Sequence, residues 1–240
     1  MRGVIVGCDQ KQEWMLPWWY ANFRKHNDLP IAFIDFGMTH HAKKWCSGHG
    51  ALIPLKAPEG FVYSQNKIPK ELCEKWEKRY GAHLWSARGS WFNKPFALLQ
   101  SPFKETIWLD LDCEILGSIK HLYHKLHKHS QIALVRDNTG PFEEVGYNSG
   151  VVVYDSSSPL LTHWATTCIR KNNRFLGDQE VLTHLIQDGA IEVAELPEKY
   201  NWVVHSGIHP EAVVLHWSGS WGKQMIRNRV SSGEKGAVQG

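Results

Sequence analysis

The sequence predicts an α/β domain with a mostly parallel, mixed central sheet flanked by helices. Three observations carry this. First, Val4, Ile5 and Val6, a helical stretch over residues 17–26, and Ile31 to Asp35 follow at the spacing of a strand–helix–strand unit. Second, Thr106, Ile107, Trp108 and Leu109 form an apolar run ending in Asp110 and Asp112. Third, short β-branched runs alternate with helical stretches through the rest of the chain.

Taken in order, the first strand opens into Gly7, Cys8 and Asp9, and the first helix stops at Asn27, Asp28, Leu29 and Pro30. The handedness rule makes the crossover to residues 31–35 right-handed. A short helix is expected over 42–50 and a third strand over 51–55. Residues 56–79 are polar and carry prolines, and they read as an excursion off the sheet with a helix over 69–80. A helix over 91–100 leads into the acidic strand. Beyond it come a loop over 115–118, an amphipathic helix over 119–129 and a strand over 132–135. A strand over 151–155 introduced by Tyr147 to Gly150, helices over 159–172 and 180–188, an edge strand over 191–196 and a last strand over 213–216 complete the pattern. With no internal repeat and no linker, residues 1–230 read as a single domain and residues 231–240 as a disordered tail.

Composition narrows the functional classes. The 240 residues are 42% hydrophobic and 21% charged, ordinary for a globular core, and the net charge of +3 calls for neither nucleic acid nor a membrane surface. No apolar run is long enough to cross a bilayer. The five scattered cysteines form no CxxC pair, which argues against a disulfide framework and for a reducing compartment. With no leader evident at the N-terminus, the expected location is the cytoplasm. Trp is abundant at 12 residues, either for core packing or for stacking on sugars and bases.

Two acids one residue apart at a strand end face a common space if the strand alternation continues, with Leu111 turned into the core. Held together they repel, and a divalent cation with oxygen ligands is the simplest remedy. Open α/β sheets also bind ligands at the carboxyl ends of their strands. Turn-forming and helix-capping are the ordinary alternatives for such aspartates. The tract with His121, His124, His127 and His129 has interleaved Lys125 and Lys128, and it reads as a solvated helix face rather than a metal site.

The run from Lys94 to Asp112 resembles the core of nucleotide-sugar glycosyltransferases with the GT-A fold. It is most similar to family 8, the glycogenin and lipopolysaccharide galactosyltransferase group. The segment Tyr147, Asn148, Ser149, Gly150 is similar to that family's asparagine-x-glycine motif, and Gly177, Asp178, Gln179 to its aspartate–glutamine step. Leu196, Pro197, Tyr200 and Asn201 resemble its leucine-proline-x-x-tyrosine-asparagine turn. His216 and Gly219 resemble its late histidine-x-x-glycine. These segments are collinear over roughly residues 4–223. The family's lysine usually follows that glycine by three residues; here Lys223 follows Gly219 by four, and no proline comes after it.

The resemblance implies a GT-A-like fold and a hexosyltransferase that uses Mn²⁺, with Mg²⁺ as the alternative, to move a sugar from a nucleotide donor, UDP-linked by expectation, with retention of configuration. Asp110, Asp112 and His216 would hold the metal through an aspartate-x-aspartate motif. Gly7, Cys8, Asp9, Gly219 and Lys223 would bind the nucleotide. Arg88, Lys94, Asn148, Ser149 and Gly150 would line the donor sugar, and Asp178 and Gln179 would sit at the reacting carbon. The acceptor, a sugar-bearing molecule or another, and the oligomeric state are not specified. Two other readings remain: a glycoside or phosphoester hydrolase using Asp110 and Asp112 as paired carboxylates, and a non-catalytic sugar-binding relative.

Overall fold

The computed structural model describes residues 1–126, 131–137, 146–189 and 192–232, with no account of the Ser206 side chain. His127 and His129, Ile191 at the start of the predicted edge strand, and the predicted tail from residue 233 lie outside the described residues.

Strand β1 (Arg2–Cys8), helix α1 (Leu16–His26) and strand β2 (Ile31–Asp35) form the expected unit, with β1 and β2 parallel. Leu16, Trp19 and Phe23 fall at helical spacing on the buried face of α1, and Trp19 stacks on Phe23 at 5.3 Å. Helix α2 (His40–Ser47) starts at Thr39, whose hydroxyl accepts from the Ala42 N–H, and leads to β3 (Ala51–Pro54). Helices α3 (Lys70–Tyr80) and α4 (Leu84–Leu99) precede β4 (Glu105–Leu109). The later elements are β5 (Cys113–Ile115), β6 (Ile132–Asp137), β7 (Gly146–Asp155), α5 (Pro159–Lys171), α6 (Asp178–Gln187), β8 (Ala194–Leu196), β9 (Trp202–Val203), β10 (Val214–His216) and α7 (Gly219–Ser232).

Seven strands make the main sheet, in the order β3-β2-β1-β4-β7-β6-β8. Only β7 runs antiparallel to its neighbours, β4 and β6, so the sheet is mixed and mostly parallel. Alternate residues feed two cores. Val4, Val6, Ile107, Leu109, Val151 and Val153 face the α1 side, and Ile5, Trp108, Val152 and Tyr154 face the side of α4, α5 and α6. The polar excursion has a small core of its own, where Ile68, Cys73 and Trp76 meet Leu84 and Leu176. Among the described residues, no helix is long and apolar enough to cross a membrane.

Several elements depart from expectation. Helix α4 begins seven residues early, at Leu84, and keeps Pro95 inside it. Residues 119–125 form a 3-10 turn (Lys120–Lys125) rather than an α-helix. The predicted last strand is β10, but it lies in a second sheet, β5-β10-β9, whose other strands of two or three residues carry too little periodicity to read. Ser231 and Ser232, assigned to the disordered tail, instead close α7, where Ser232 Oγ donates to the Arg229 carbonyl at 3.0 Å.

Candidate functional site

The apolar run ends its strand at Leu109, so Asp110 and Asp112 sit on the turn into β5 rather than on the strand itself. The turn is pinned from both sides. The Asp110 N–H donates to the Gly150 carbonyl at 2.8 Å, and the Trp217 N–H donates to the Asp112 carbonyl at 2.9 Å. Leu111 is buried as expected, and the two carboxylates still share a space.

Fixed donors orient both carboxylates. Asp110 Oδ1 accepts from Trp108 Nε1 at 2.7 Å and pairs with Lys94 Nζ at 2.9 Å. Asp112 Oδ2 accepts from Lys223 Nζ at 2.6 Å. Asp110 Oδ2, which also accepts from Lys94 Nζ at 3.1 Å, lies 3.8 Å from His216 Nε2, and Asp112 Oδ1 lies 3.4 Å from it. Burial works against the charge of Asp112, but Lys223 and His216 outweigh it and hold the carboxyl well below its ordinary range. Burial likewise opposes the charges of Lys94 and Lys223, and the adjacent aspartates raise both above the ordinary lysine value.

A chain of amides sets the tautomer of His216. The Gly150 N–H donates to Asn148 Oδ1 at 2.8 Å, and a backbone N–H has no alternative polarity. The same oxygen accepts from Asn201 Nδ2 at 2.7 Å, which turns Asn201 Oδ1 toward His216 Nδ1 at 3.0 Å. Nδ1 therefore carries a proton, and Nε2 is the ring nitrogen that faces the carboxylates. Gly150 is required for the fit, since a Cβ there would meet the imidazole Cε1 and lie 2.6 Å from its Nδ1.

Lys94 links this cluster to Asp178. Its ammonium donates to the Ser149 carbonyl and hydroxyl, each at 3.0 Å, and lies 3.8 Å from Asp178 Oδ2. Ser149 Oγ donates to the same Asp178 oxygen at 3.0 Å. Asp178 is 4% exposed at the start of α6. Burial pushes its carboxyl up, since Lys94 pairs more closely with Asp110, whose charge adds to the rise. Gln179 Oε1 accepts from the Ser149 N–H at 3.2 Å, and its Nε2 donates to Asp137 at 2.8 Å.

Gly7 and Asp9 line the same cleft as Asp110, Asp112, Lys94 and Lys223. A Cβ on Gly7 would meet the Phe36 ring and come within 2.7 Å of Trp108, whose rings stack at 6.4 Å. Asp9 is oriented by the Lys11 and Gln12 N–H groups and by Ser90 Oγ at 2.8 Å. Cys8, between them, turns into the core at 2% exposure and does not line the cleft. Gly219 opens α7 at a φ of 76°, and Lys223 reaches Asp112 from the first turn of that helix. The longer Gly219-to-Lys223 spacing is thus absorbed by helix rather than lost.

Arg88 does not join the cluster. Its guanidinium is 1% exposed and donates to four backbone carbonyls, those of Tyr63, Asn172, Phe175 and Leu176. Burial pushes its pKa down to about 10, still cationic at neutral pH. It clips the excursion to the loop before α6. Sequence reasoning assigned no role to Trp108, Ser90, Asn201 or Cys113. Asn201 lay within a quoted motif, whereas Cys113 is revealed only by its pairing with β10. Among the described residues, donor atoms of Asp112, Cys113 and His216 all lie within 4.8 Å of one another.

No protein-family model matches the chain, and no curated protein matches it. Solved structures do. The glycosyltransferase GlyE of Streptococcus pneumoniae TIGR4 matches at a TM-score of 0.63 and 15% identity, over 100% of this chain and 66% of that one, so the chain spans a little less than two thirds of GlyE. The galactosyltransferase LgtC, solved with donor and acceptor sugar analogues, matches at 0.68 and 11% identity, over 100% and 98%. Mouse xyloside xylosyltransferase 1 matches at 0.57 and 14% identity, over 90% and 97%. At these identities the likeness establishes the fold: the chain is folded as GT-A glycosyltransferases are.

Proposed function

We propose that the protein is a metal-dependent glycosyltransferase that moves a sugar from a UDP-linked donor to an acceptor with retention of configuration. One observation carries the reading: Asp110 Oδ2, Asp112 Oδ1 and His216 Nε2 converge at the carboxyl end of β4, with Lys223 beside them. Octahedral coordination at about 2.1–2.4 Å sets neighbouring donor atoms about 3.0–3.4 Å apart. The observed separations of 3.4 and 3.8 Å need only small side-chain adjustments to reach that. Two carboxylate oxygens and one imidazole nitrogen suit Mn²⁺ better than Ca²⁺, with Mg²⁺ the alternative. A divalent cation bound there supplies charge neutralisation to a departing diphosphate.

The protein's own groups supply the rest. Lys223 offers a second cation to the leaving phosphate. Asp9 and the backbone of Gly7 hold the nucleoside, and Gly219 allows the phosphates close approach. Lys94, Ser149 and the backbone of Gly150 border the donor sugar, while Asn148 acts through Asn201 on His216. Asp178 and Gln179 steady positive charge developing at the anomeric carbon. The leaving phosphate takes the proton from the acceptor hydroxyl, so no separate protein base is needed.

A paired-carboxylate hydrolase needs one of its two acids held protonated. Asp112 is held ionised, and Asp110 is paired with Lys94, so that reading gains no support. The test is release of UDP, GDP or CMP from their sugar conjugates in the presence of Mn²⁺, with binding followed by calorimetry. Turnover of a UDP-sugar that stops on chelation supports the proposal. Binding without turnover, unchanged in Asp178→Ala, points to a non-catalytic sugar-binding protein. No binding and no turnover with any of them overturns both.

A further inference from the structure

The strand pairing that went unread in the sequence brings a thiol to the carboxylate–imidazole cluster. Cys113 is the register partner of His216 across the antiparallel β5–β10 pair. Directly opposed residues on such a pair share a face, with Cβ atoms about 4.5–5.5 Å apart. Asp112 immediately precedes Cys113, and its carbonyl accepts from the N–H of Trp217, the residue after β10. The three residues are 7%, 0% and 5% exposed for Asp112, Cys113 and His216.

We propose that Cys113 joins Asp112 and His216 in a thiolate–carboxylate–imidazole site for a thiophilic divalent cation such as Zn²⁺ or Co²⁺, competing with the Mn²⁺ of the transfer reaction. The inference rests on the metal-binding reading above and extends it to a ligand of different chemistry. Tetrahedral coordination with metal–nitrogen and metal–oxygen bonds of about 2.0–2.1 Å sets those atoms about 3.3 Å apart. His216 Nε2 and Asp112 Oδ1 stand 3.4 Å apart. Lys223 holds the other oxygen of Asp112 and need not leave. The Nδ1 proton of His216 is fixed by Asn201, so Nε2 is the ligating nitrogen. Cys113 Sγ makes a long contact of 3.8 Å to the Gly150 carbonyl, a bond weak enough to give up. A buried cysteine is ordinarily a small apolar filler. Here its sulfur lies within 4.8 Å of a His216 ring nitrogen and an Asp112 carboxylate oxygen, which an apolar filler does not require.

Hard oxygen ligands alone favour Mg²⁺ and Mn²⁺, whereas an added thiolate shifts preference toward Zn²⁺ and Co²⁺. Binding breaks the Sγ–H bond, forms the metal–sulfur bond and releases the proton to water; no electron is transferred. The site remains open on the side of Asp110 and the cleft, where a water molecule or a phosphate oxygen takes the fourth position.

The test uses the full chain under anaerobic conditions, titrated with Co²⁺ alone. The expected result is a near-ultraviolet thiolate-to-cobalt charge-transfer band saturating at one metal per chain, together with visible ligand-field bands. Cys113→Ser should lose the charge-transfer band and keep metal binding through the other ligands. Its Zn²⁺ affinity should fall about tenfold or more while its Mn²⁺ affinity changes little. X-ray absorption of the Zn²⁺-loaded wild-type protein gives a reading free of any folding defect in the variant: one sulfur neighbour at about 2.3 Å is expected. Cobalt binding without a charge-transfer band, a band that survives in Cys113→Ser, or a zinc shell without sulfur overturns the proposal. Mn²⁺-dependent UDP release, measured separately, stands or falls independently, so loss of the thiol ligand is distinguishable from loss of the transferase reading.

Discussion

Gly150 and His216 are in direct contact, and Gly150 also fixes which imidazole nitrogen is free, although no hydrogen bond joins the two. The absence of a side chain at 150 makes room for the ring, and the N–H of 150 polarises the Asn148–Asn201 relay that ends on Nδ1.

Gly150→Ala removes the room and leaves the relay. The added methyl forces the His216 ring or β7 to move, at a cost of about 1–3 kcal/mol in stability. Thermal denaturation should show the loss, and calorimetric Mn²⁺ affinity should fall with it. A variant that binds Mn²⁺ as the wild type does would contradict the fit described for His216.

Asn201→Leu does the reverse. It leaves the space intact and removes the group that holds Nδ1–H, so both His216 tautomers become accessible. Metal affinity should drop roughly 10–100-fold, and the NMR signature of the imidazole should change from a single tautomer to a mixture.

Arg88→Met tests the reassignment of Arg88. It strips four carbonyls of their donor, and stability should fall by about 3 kcal/mol or more in urea denaturation. The KM for the nucleotide sugar should stay unchanged at a temperature where the variant is folded. A raised KM with unchanged stability would restore the donor-sugar role.

Asp178 gives the pH dependence. Its folded-state carboxyl is raised above the unfolded value, so between the two the folded protein binds more protons than the unfolded one. Its contribution is fully present below the unfolded carboxylate pKa of about 3.9 and is lost as pH rises through the folded value. Asp178→Asn should therefore flatten the decline in stability as pH rises above the unfolded carboxylate value, while abolishing sugar transfer. Equal slopes in variant and wild type would exclude this group as the source. Asp112 acts oppositely: its depressed carboxyl adds stability above the unfolded value, lost only in strong acid.

Lys223→Met should lower kcat for UDP release by roughly 100-fold, with Mn²⁺ still bound through Asp110, Asp112 and His216. Equal turnover would show that the ammonium serves Asp112 alone.

The layered α/β architecture was legible because burial leaves a period. Val4 to Val6 and Ile107 to Leu109 are apolar on both faces, as strands covered by helices must be. Helix α7 was not legible, since Gly219 and Gly222 weigh against a helix locally. Gly222 is there because the helix presses on Trp217, and a Cβ would collide with that residue's carbonyl. The acidic pair could be read from its position after a buried run. Arg88 could not, because its partners lie 25 to 88 residues away and an arginine near a polar stretch reads as solvated. Cys113 was hidden for a similar reason, its neighbour being set by a three-residue strand with no signal of its own.

The pairing of Lys223 with Asp112 also has a consequence for synthesis. Lys223 lies 111 residues after the aspartate it neutralises. At about 5–20 residues per second, Asp112 waits roughly 5–20 s on the ribosome before its ammonium exists. His216 is made only shortly before it. During that interval the emerging chain carries two adjacent acids without Lys223 or His216, and the cation site is absent. Metal affinity should therefore appear only once the last strand and helix have docked, making metal uptake a reporter of finished folding rather than a nucleus for it.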